Sequence, residues 1–186
     1  MEFIVQKHFF NIFKLFKEIS YIDMQVFPKE LWGTARNELL RYVKNPHSFI
    51  VIRDGRRAIG YMCYFPVSDR LAQSVRDDDI IHDDDIAHQD VMRYVKGRAH
   101  NIYILSIAVD PMYQKTSAMK MLAHAFRSDL AARDACGCAI AFLQATAVSN
   151  AGRRTLERFG LKALKNIKDG YTIYEADYGT FCEGGK

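Results

Sequence analysis

The chain has 186 residues, 49% hydrophobic and 26% charged, with a formal net charge of +4, which fits one globular domain spanning 1–186 with a sizeable core. The charge is too scattered for nucleic acid: Lys162, Lys165 and Lys168 come closest to a basic stripe, and they sit in a polar turn region. Cys63, Cys136, Cys138 and Cys182 lack a second pair at zinc spacing, so reduced thiols and no metal are expected. The Phe-rich N-terminus, broken by Lys7, Lys14, Lys17 and Glu18, fits neither a secretory signal nor a membrane span, which reads as cytoplasmic.

Residues 3–7 (FIVQK) read as a first strand. Phe9, Phe10, Phe13, Phe16 and Ile19 recur at three- and four-residue spacing, an amphipathic helix whose stripe is core or, on the other reading, a partner surface. Pro28 reads as a first-turn proline and Leu31 to Val43 as a second helix ending near Asn45-Pro46. Ser48 to Arg53 and Ala58 to Phe65 are two strands, joined by the hairpin signal Asp54-Gly55. Leu71 to Val75 reads as a short helix. The acidic segment 77–85 lacks the Gly and the terminal Glu of a calcium loop. It reads as a solvated loop, or as a cluster that steers a cationic substrate.

The stretch 104–122, ILSIAVDPMYQKTSAMKML, carries most information. Ile104 to Val109 is a β-branched run that Asp110 and Pro111 stop. Tyr113 to Thr116 form a polar loop, and a helix begins at Ser117 with Met121, Leu122, Ala125 and Phe126 on one stripe, running to about Arg133. The first N–H groups of a helix have no internal partner and its dipole favours negative charge, so strand, loop and helix start make an anion site. Ala139 to Thr146 is a buried strand. Ser149 to Phe159 is a helix stopped by Gly160. Leu161 to Leu164 and Tyr171 to Tyr174 read as final strands around a turn at Asp169-Gly170, with a loose tail from Gly179. The order describes a mixed α/β sheet with helices on its faces.

With these residues the arrangement resembles the GNAT superfamily of N-acetyltransferases over nearly the whole chain. IAVDPMYQKTSAMKML at 107–122 is similar to that family's strand–loop–helix for acetyl-CoA, and AVSNAGRRTLERFGLK at 147–162 to its next helix. The resemblance implies a mostly antiparallel, twisted sheet with helices on both faces and acetyl-CoA as co-substrate. The family's loop reads Gln or Arg, two residues, Gly, one residue, then Gly or Ala. Gln114 matches, while Ser117 and Met119 stand at the small positions. The implied donors are backbone N–H groups of Ser117, Ala118 and Met119, with Thr116 or Ser117 as cap and Lys115 and Lys120 as phosphate partners. By the same resemblance Ile107, Ala108 and Val109 offer main-chain groups to the pantetheine arm. Ser149 or Asn150 matches a cofactor-contacting Asn or serves as an N-cap, and Arg153 and Arg154 reach toward the nucleotide end.

Acetyl transfer needs a proton acceptor for the amine and a donor for the carbonyl oxygen, which the Val109 N–H could supply. The Tyr that commonly protonates the leaving thiolate in this family is replaced by Leu156. Ser106, alternating with Leu105 and Ile107, and Tyr174 are the catalytic candidates; Tyr103, Tyr171, His82, His88 and His100 are the other titratable or hydroxyl groups. The leading expectation is an acetyl-CoA-dependent N-acetyltransferase for a small-molecule or peptide primary amine, cationic in charge, in a monomer or homodimer. A silent CoA-binding module and an interaction domain using the Phe-rich helix are the competing readings.

Overall fold

A computed structural model describes residues 3–77 and 85–183. Seven strands form one sheet in the order β1-β2-β3-β4-β5-β7-β6. They are β1 (Phe3–Gln6), β2 (Phe49–Asp54), β3 (Arg57–Val67), β4 (His100–Val109), β5 (Ile140–Ala147), β6 (Lys162–Asn166) and β7 (Thr172–Asp177). Every neighbouring pair is antiparallel except β4 and β5, which run parallel. Helices α1 (Ile12–Val26), α2 (Ala35–Lys44) and α3 (Asp69–Arg76) cover one face; α4 (Ala118–Ala135), α5 (Asn150–Phe159) and α6 (Tyr178–Glu183) belong to the other. The expected mixed, mostly antiparallel sheet with helices on both faces is what forms.

The helices begin and end where local chemistry directs. Asn11 caps α1, accepting from the Lys14 N–H at 2.9 Å, and Pro28 bars the helical conformation to Phe27. Thr34 and Ser68 cap α2 and α3 in the same way. Gly160 ends α5 at φ 93°, a left-handed position that a side chain would strain.

Each sheet face has its own core. Ile102, Ile104, Val109, Leu122, Phe126, Leu130, Leu143, Leu156 and Phe159 belong to the α4–α5 side. Leu15, Phe16, Ile19, Ile22, Phe49, Val51, Phe65, Leu71 and Val75 belong to the α1–α3 side.

Several boundaries differ from the sequence reading. α1 starts after Phe9 and Phe10, and its buried stripe is Leu15, Phe16, Ile19, Ile22 and Asp23; Phe10 and Phe13 are exposed. Pro28 precedes a single 3-10 turn, Lys29–Leu31, and α2 begins only after Thr34, whose hydroxyl oxygen accepts from Asn37. Most of the acidic run, 78–84, including His82, Asp83 and Asp84, lies outside the described residues; Asp77 ends α3. The tail is not loose up to 183. It forms α6 because Phe181 is buried against Phe126, with ring centroids 5.8 Å apart, while Arg127 donates to the Phe181 carbonyl at 2.8 Å.

Candidate active site

The site begins with one extra residue in β4. Cys63 of β3 faces Ser106 and Tyr64 faces Ile104, so Leu105 is a bulge. A bulge bends its strand and shifts the inside–outside alternation by one. Pairing of β4 with β5 stops at Ile104–Ala145, although β5 continues with β7 to Ala147 and β4 with β3 to Val109. The two parallel strands therefore splay. Tyr103 ties the last paired rung, its hydroxyl donating to the Thr146 oxygen at 3.2 Å.

A cavity of about 1000 Å³ occupies the gap and runs from one sheet face to the other. Its strand walls are Tyr103 to Val109 and Ala145 to Val148. At one end lie Gln114, Lys115 and Met119 before and in α4, and Ser149, Ala151, Gly152, Arg154 and Arg158 at α5. At the other lie Asp23 and Val26 of α1, Glu38 and Arg41 of α2, and Tyr61 of β3.

The free edge of β4 presents selected backbone groups. The Asp110 N–H donates to Ile59 at 2.9 Å, and the Ala108 carbonyl points at Gly60, where an added Cβ would stand 3.1 Å from it. By strand alternation the N–H and C=O of Ile107 and Val109 then face the gap. Of the three residues implied by the resemblance, Ala108 turns its main chain to β3 instead.

The loop after β4 is held from within. Asp110 is fully buried; it accepts from the Met112 N–H at 2.9 Å and pairs with Arg57 at 2.5 Å. Gln114 folds back to the Val109 carbonyl at 3.3 Å. Ser117 holds the N-cap position of α4 without a side-chain cap bond, and Thr116 supplies one: its oxygen accepts from the Ala118 N–H at 3.3 Å and its hydroxyl donates to the Tyr113 carbonyl at 2.6 Å. The N–H groups of Ser117, Met119 and Lys120 make no hydrogen bond among the described residues. They are the orphan donors that a helix start supplies. The Met119 side chain packs on the core and forms part of the cavity wall rather than filling the cavity.

Other candidates sort by position. Thr116, Ser117 and Ala118 stand beside the cavity without lining it, and Ala118 is fully buried. Ser149 is the N-cap of α5, accepting from the Gly152 N–H at 3.0 Å, which leaves Asn150 exposed in the first turn. Arg154 lines the cavity, whereas Arg153 bonds to the Gly170 carbonyl. Leu156 forms cavity wall.

Tyr174 does not reach this site. It is buried in the core on the α4–α5 face, its hydroxyl donates to Glu157 of α5 at 2.9 Å, and burial, then that carboxylate, raise its pKa. Tyr171 and His88 are also absent from the wall, and His100 faces the backbone of Val95. Ser106 lines the cavity, as Tyr61 does, but does not alternate with Leu105: the bulge puts both Leu105 and Ser106 toward α1.

Tyr61 and Asp23 escaped the sequence reading. Tyr61 sits inside an unbroken apolar strand and donates its phenol proton to Asp23. Burial first, then the Asp23 charge and hydrogen bond, push its pKa well above the ordinary phenol range. The signal for Asp23 was present: it is a carboxylate on the apolar stripe of α1, four residues after Ile19. Among the described residues no three His, Cys, Asp or Glu side chains are grouped as a metal site, and no helix is long and apolar enough to cross a membrane.

Comparison with known proteins agrees with this geometry. Among curated proteins no sequence matches. The loading GNATL domain of CurA from Lyngbya majuscula has a similar fold, with TM-score 0.66 and 10% identity over 95% of this chain and 98% of that one. So do Arabidopsis thaliana Naa50 in complex with a bisubstrate analogue (0.62, 8%, 96% and 100%) and the Drosophila melanogaster polyamine N-acetyltransferase (0.60, 10%, 95% and 100%). The model of the acetyltransferase (GNAT) family matches residues 12–161, and the chain belongs to that family.

Proposed function

We propose that residues 1–186 form one acetyltransferase domain that moves an acetyl group from acetyl-CoA directly to a primary amine of a small-molecule or peptide acceptor. The observation that carries this reading is the unpaired edge of β4 inside a cavity open to both sheet faces. An extended pantetheine arm would add to that edge as a strand does, through Ile107 and Val109. The diphosphate would lie over the first turn of α4, against the N–H groups of Ser117 and Met119, with Lys115 beside it and Arg154 toward the nucleotide. Two co-substrates entering from opposite faces would meet at the splay, and positioning them there supplies most of the rate that direct transfer requires.

The acceptor end supports an amine. Asp23 and Glu38 are both buried at that wall, with Arg41 beside them, so a cationic group entering there meets carboxylates. One of the similar structures is named a polyamine N-acetyltransferase, and another is in complex with the bisubstrate analogue CoA-Ac-MVNAL. All four cysteines are free thiols, in keeping with a reducing, cytoplasmic setting.

Calorimetric titration with acetyl-CoA and CoA, followed by thiol release across a panel of a monoamine, putrescine, an amino-acid amide and a short peptide with a free amino terminus, tests the reading. Binding with turnover on at least one amine is expected. Binding without turnover on any would leave a CoA-holding module. No binding at micromolar protein would remove both.

A further inference from the structure

The acceptor end of the cavity sets a few charged groups in an apolar wall. Among the described residues its charged members are Asp23 of α1 and Glu38 and Arg41 of α2. Glu38 and Arg41 stand three residues apart on α2 and so share a face, where the guanidinium offsets one carboxylate. Two carboxylates against one guanidinium leave a single negative charge in excess. Asp23 accepts from Tyr61, and Tyr61 pairs across the sheet with Ala108, in the stretch of β4 that β5 leaves uncovered. That bond holds the Asp23 carboxylate at the level of the splay, and both residues line the cavity.

Around these groups the wall is largely hydrocarbon. Ile19, Phe49 and Ile86 are buried, whereas Val26, Phe27 and Leu31 line the cavity only partly buried although apolar. Val26 and Phe27 end α1, and Leu31 lies in the 3-10 turn that follows. A site of this kind orients its ligand by few polar contacts and holds it by apolar area. A second ammonium laid on this wall would exchange water for hydrocarbon at a cost, whereas each methylene laid there gains about fourfold in affinity.

We propose that the acceptor is an apolar primary monoamine, its nitrogen received by Asp23 and its body laid against Val26, Phe27 and Leu31. The inference rests on the transferase reading and narrows its substrate class. One ammonium matches the single excess charge of the wall. A diamine of the same length brings one charge more than the wall balances and sets it on hydrocarbon. Asp23 therefore selects for the amine, and the end of α1 with the turn behind it selects for what the amine carries.

The test uses the full chain with saturating acetyl-CoA and reads thiol release. Along propylamine, butylamine, pentylamine and hexylamine, wild-type kcat/KM should climb about two- to fourfold per methylene. Butylamine should exceed putrescine, its diamine counterpart, by about 10-fold or more. Asp23→Asn should raise the butylamine KM about 10-fold or more, while acetyl-CoA affinity by calorimetry stays within about twofold, which also reports an intact fold. Leu31→Glu, at a partly exposed turn position, adds a second carboxylate to the wall and should shift the butylamine-to-putrescine ratio about 10-fold toward the diamine. A flat alkyl series, or putrescine equal to butylamine in the wild type, overturns the monoamine assignment while leaving the transferase reading intact. An unchanged amine KM in Asp23→Asn overturns the role given to Asp23. Absence of turnover on every amine, with acetyl-CoA bound, overturns the transferase reading and this inference with it.

Discussion

Asp129 shows at the residue scale how the core side of the fold depends on pH. It lies on the buried side of α4, accepts from Tyr64 at 2.8 Å and pairs with Lys7 at 3.1 Å and Arg133 at 3.4 Å. Burial by itself would raise its pKa; the Tyr64 hydrogen bond and the charges of Arg133 and Lys7 outweigh burial and bring it below the ordinary aspartate value of 3.8. A carboxylate depressed in the folded state stabilises fully above its unfolded value, and that stability is lost as pH falls through the folded one. Asp129→Asn should therefore cost roughly 2 kcal/mol in urea unfolding at pH 7, and the gap from wild type should close as the pH is taken below 3.8. An unchanged gap at low pH would mean that the loss is packing, not charge. Asp129 and Asp23 each stand among the buried apolar residues of their helix, at helical spacing from Ala125 and Phe126 and from Ile19 and Ile22. Tyr61 carries no such mark, because a tyrosine in an apolar strand is usually packing.

At the element scale the strand, loop and helix of 104–122 were legible because β-branched residues, Asp110-Pro111 and the helical stripe all point the same way. What stayed hidden was the bulge at Leu105. A one-residue register shift leaves no composition or periodicity mark in so short a run. It decided the face of Ser106 and which of Ile107, Ala108 and Val109 offer main chain to the gap. Gly60 is the counterpart on β3, since a Cβ there would meet the Ala108 carbonyl and Val109 at 3.1 Å. Gly60→Val should push β4 outward, cost about 1–3 kcal/mol in thermal unfolding and weaken acetyl-CoA binding; binding at full strength would disconnect β3 from the cofactor edge. In the loop, Lys115→Ala should weaken acetyl-CoA about 3- to 10-fold by calorimetry, more at low salt than at high, as screening of an exposed charge requires. An effect independent of salt would assign Lys115 a packing role.

Over the whole molecule, the chain's last described segment closes the core. The sequence reading left it loose because six residues with one glycine carry no helical period. The missing information was tertiary: Phe181 reaches Phe126, and Arg127 stacks over the Phe181 ring at 4.4 Å. Phe181→Ala should cost about 3–5 kcal/mol and lower Tm by several degrees without touching the cavity. At the other end, the exposed Phe10 and Phe13 belong to no core. Replacing both with Ser should leave Tm nearly unchanged, and a fall in apparent mass by light scattering would assign them to self-association of the proposed domain. Deleting residues 8–20, by contrast, removes Leu15, Phe16 and Ile19 and should unfold the α1 side.

Leu105 also limits how this chain can change length. Removing it would put an even count where an odd one now stands, so the side chains on one side of that point would trade inside for outside. Ile107 and Val109 would turn away from the layer they fill, and the two parallel strands would be free to zip shut over the entrance for both reactants. Side chains around the opening can drift and alter what it accepts; the number of residues between Ile104 and Asp110 cannot.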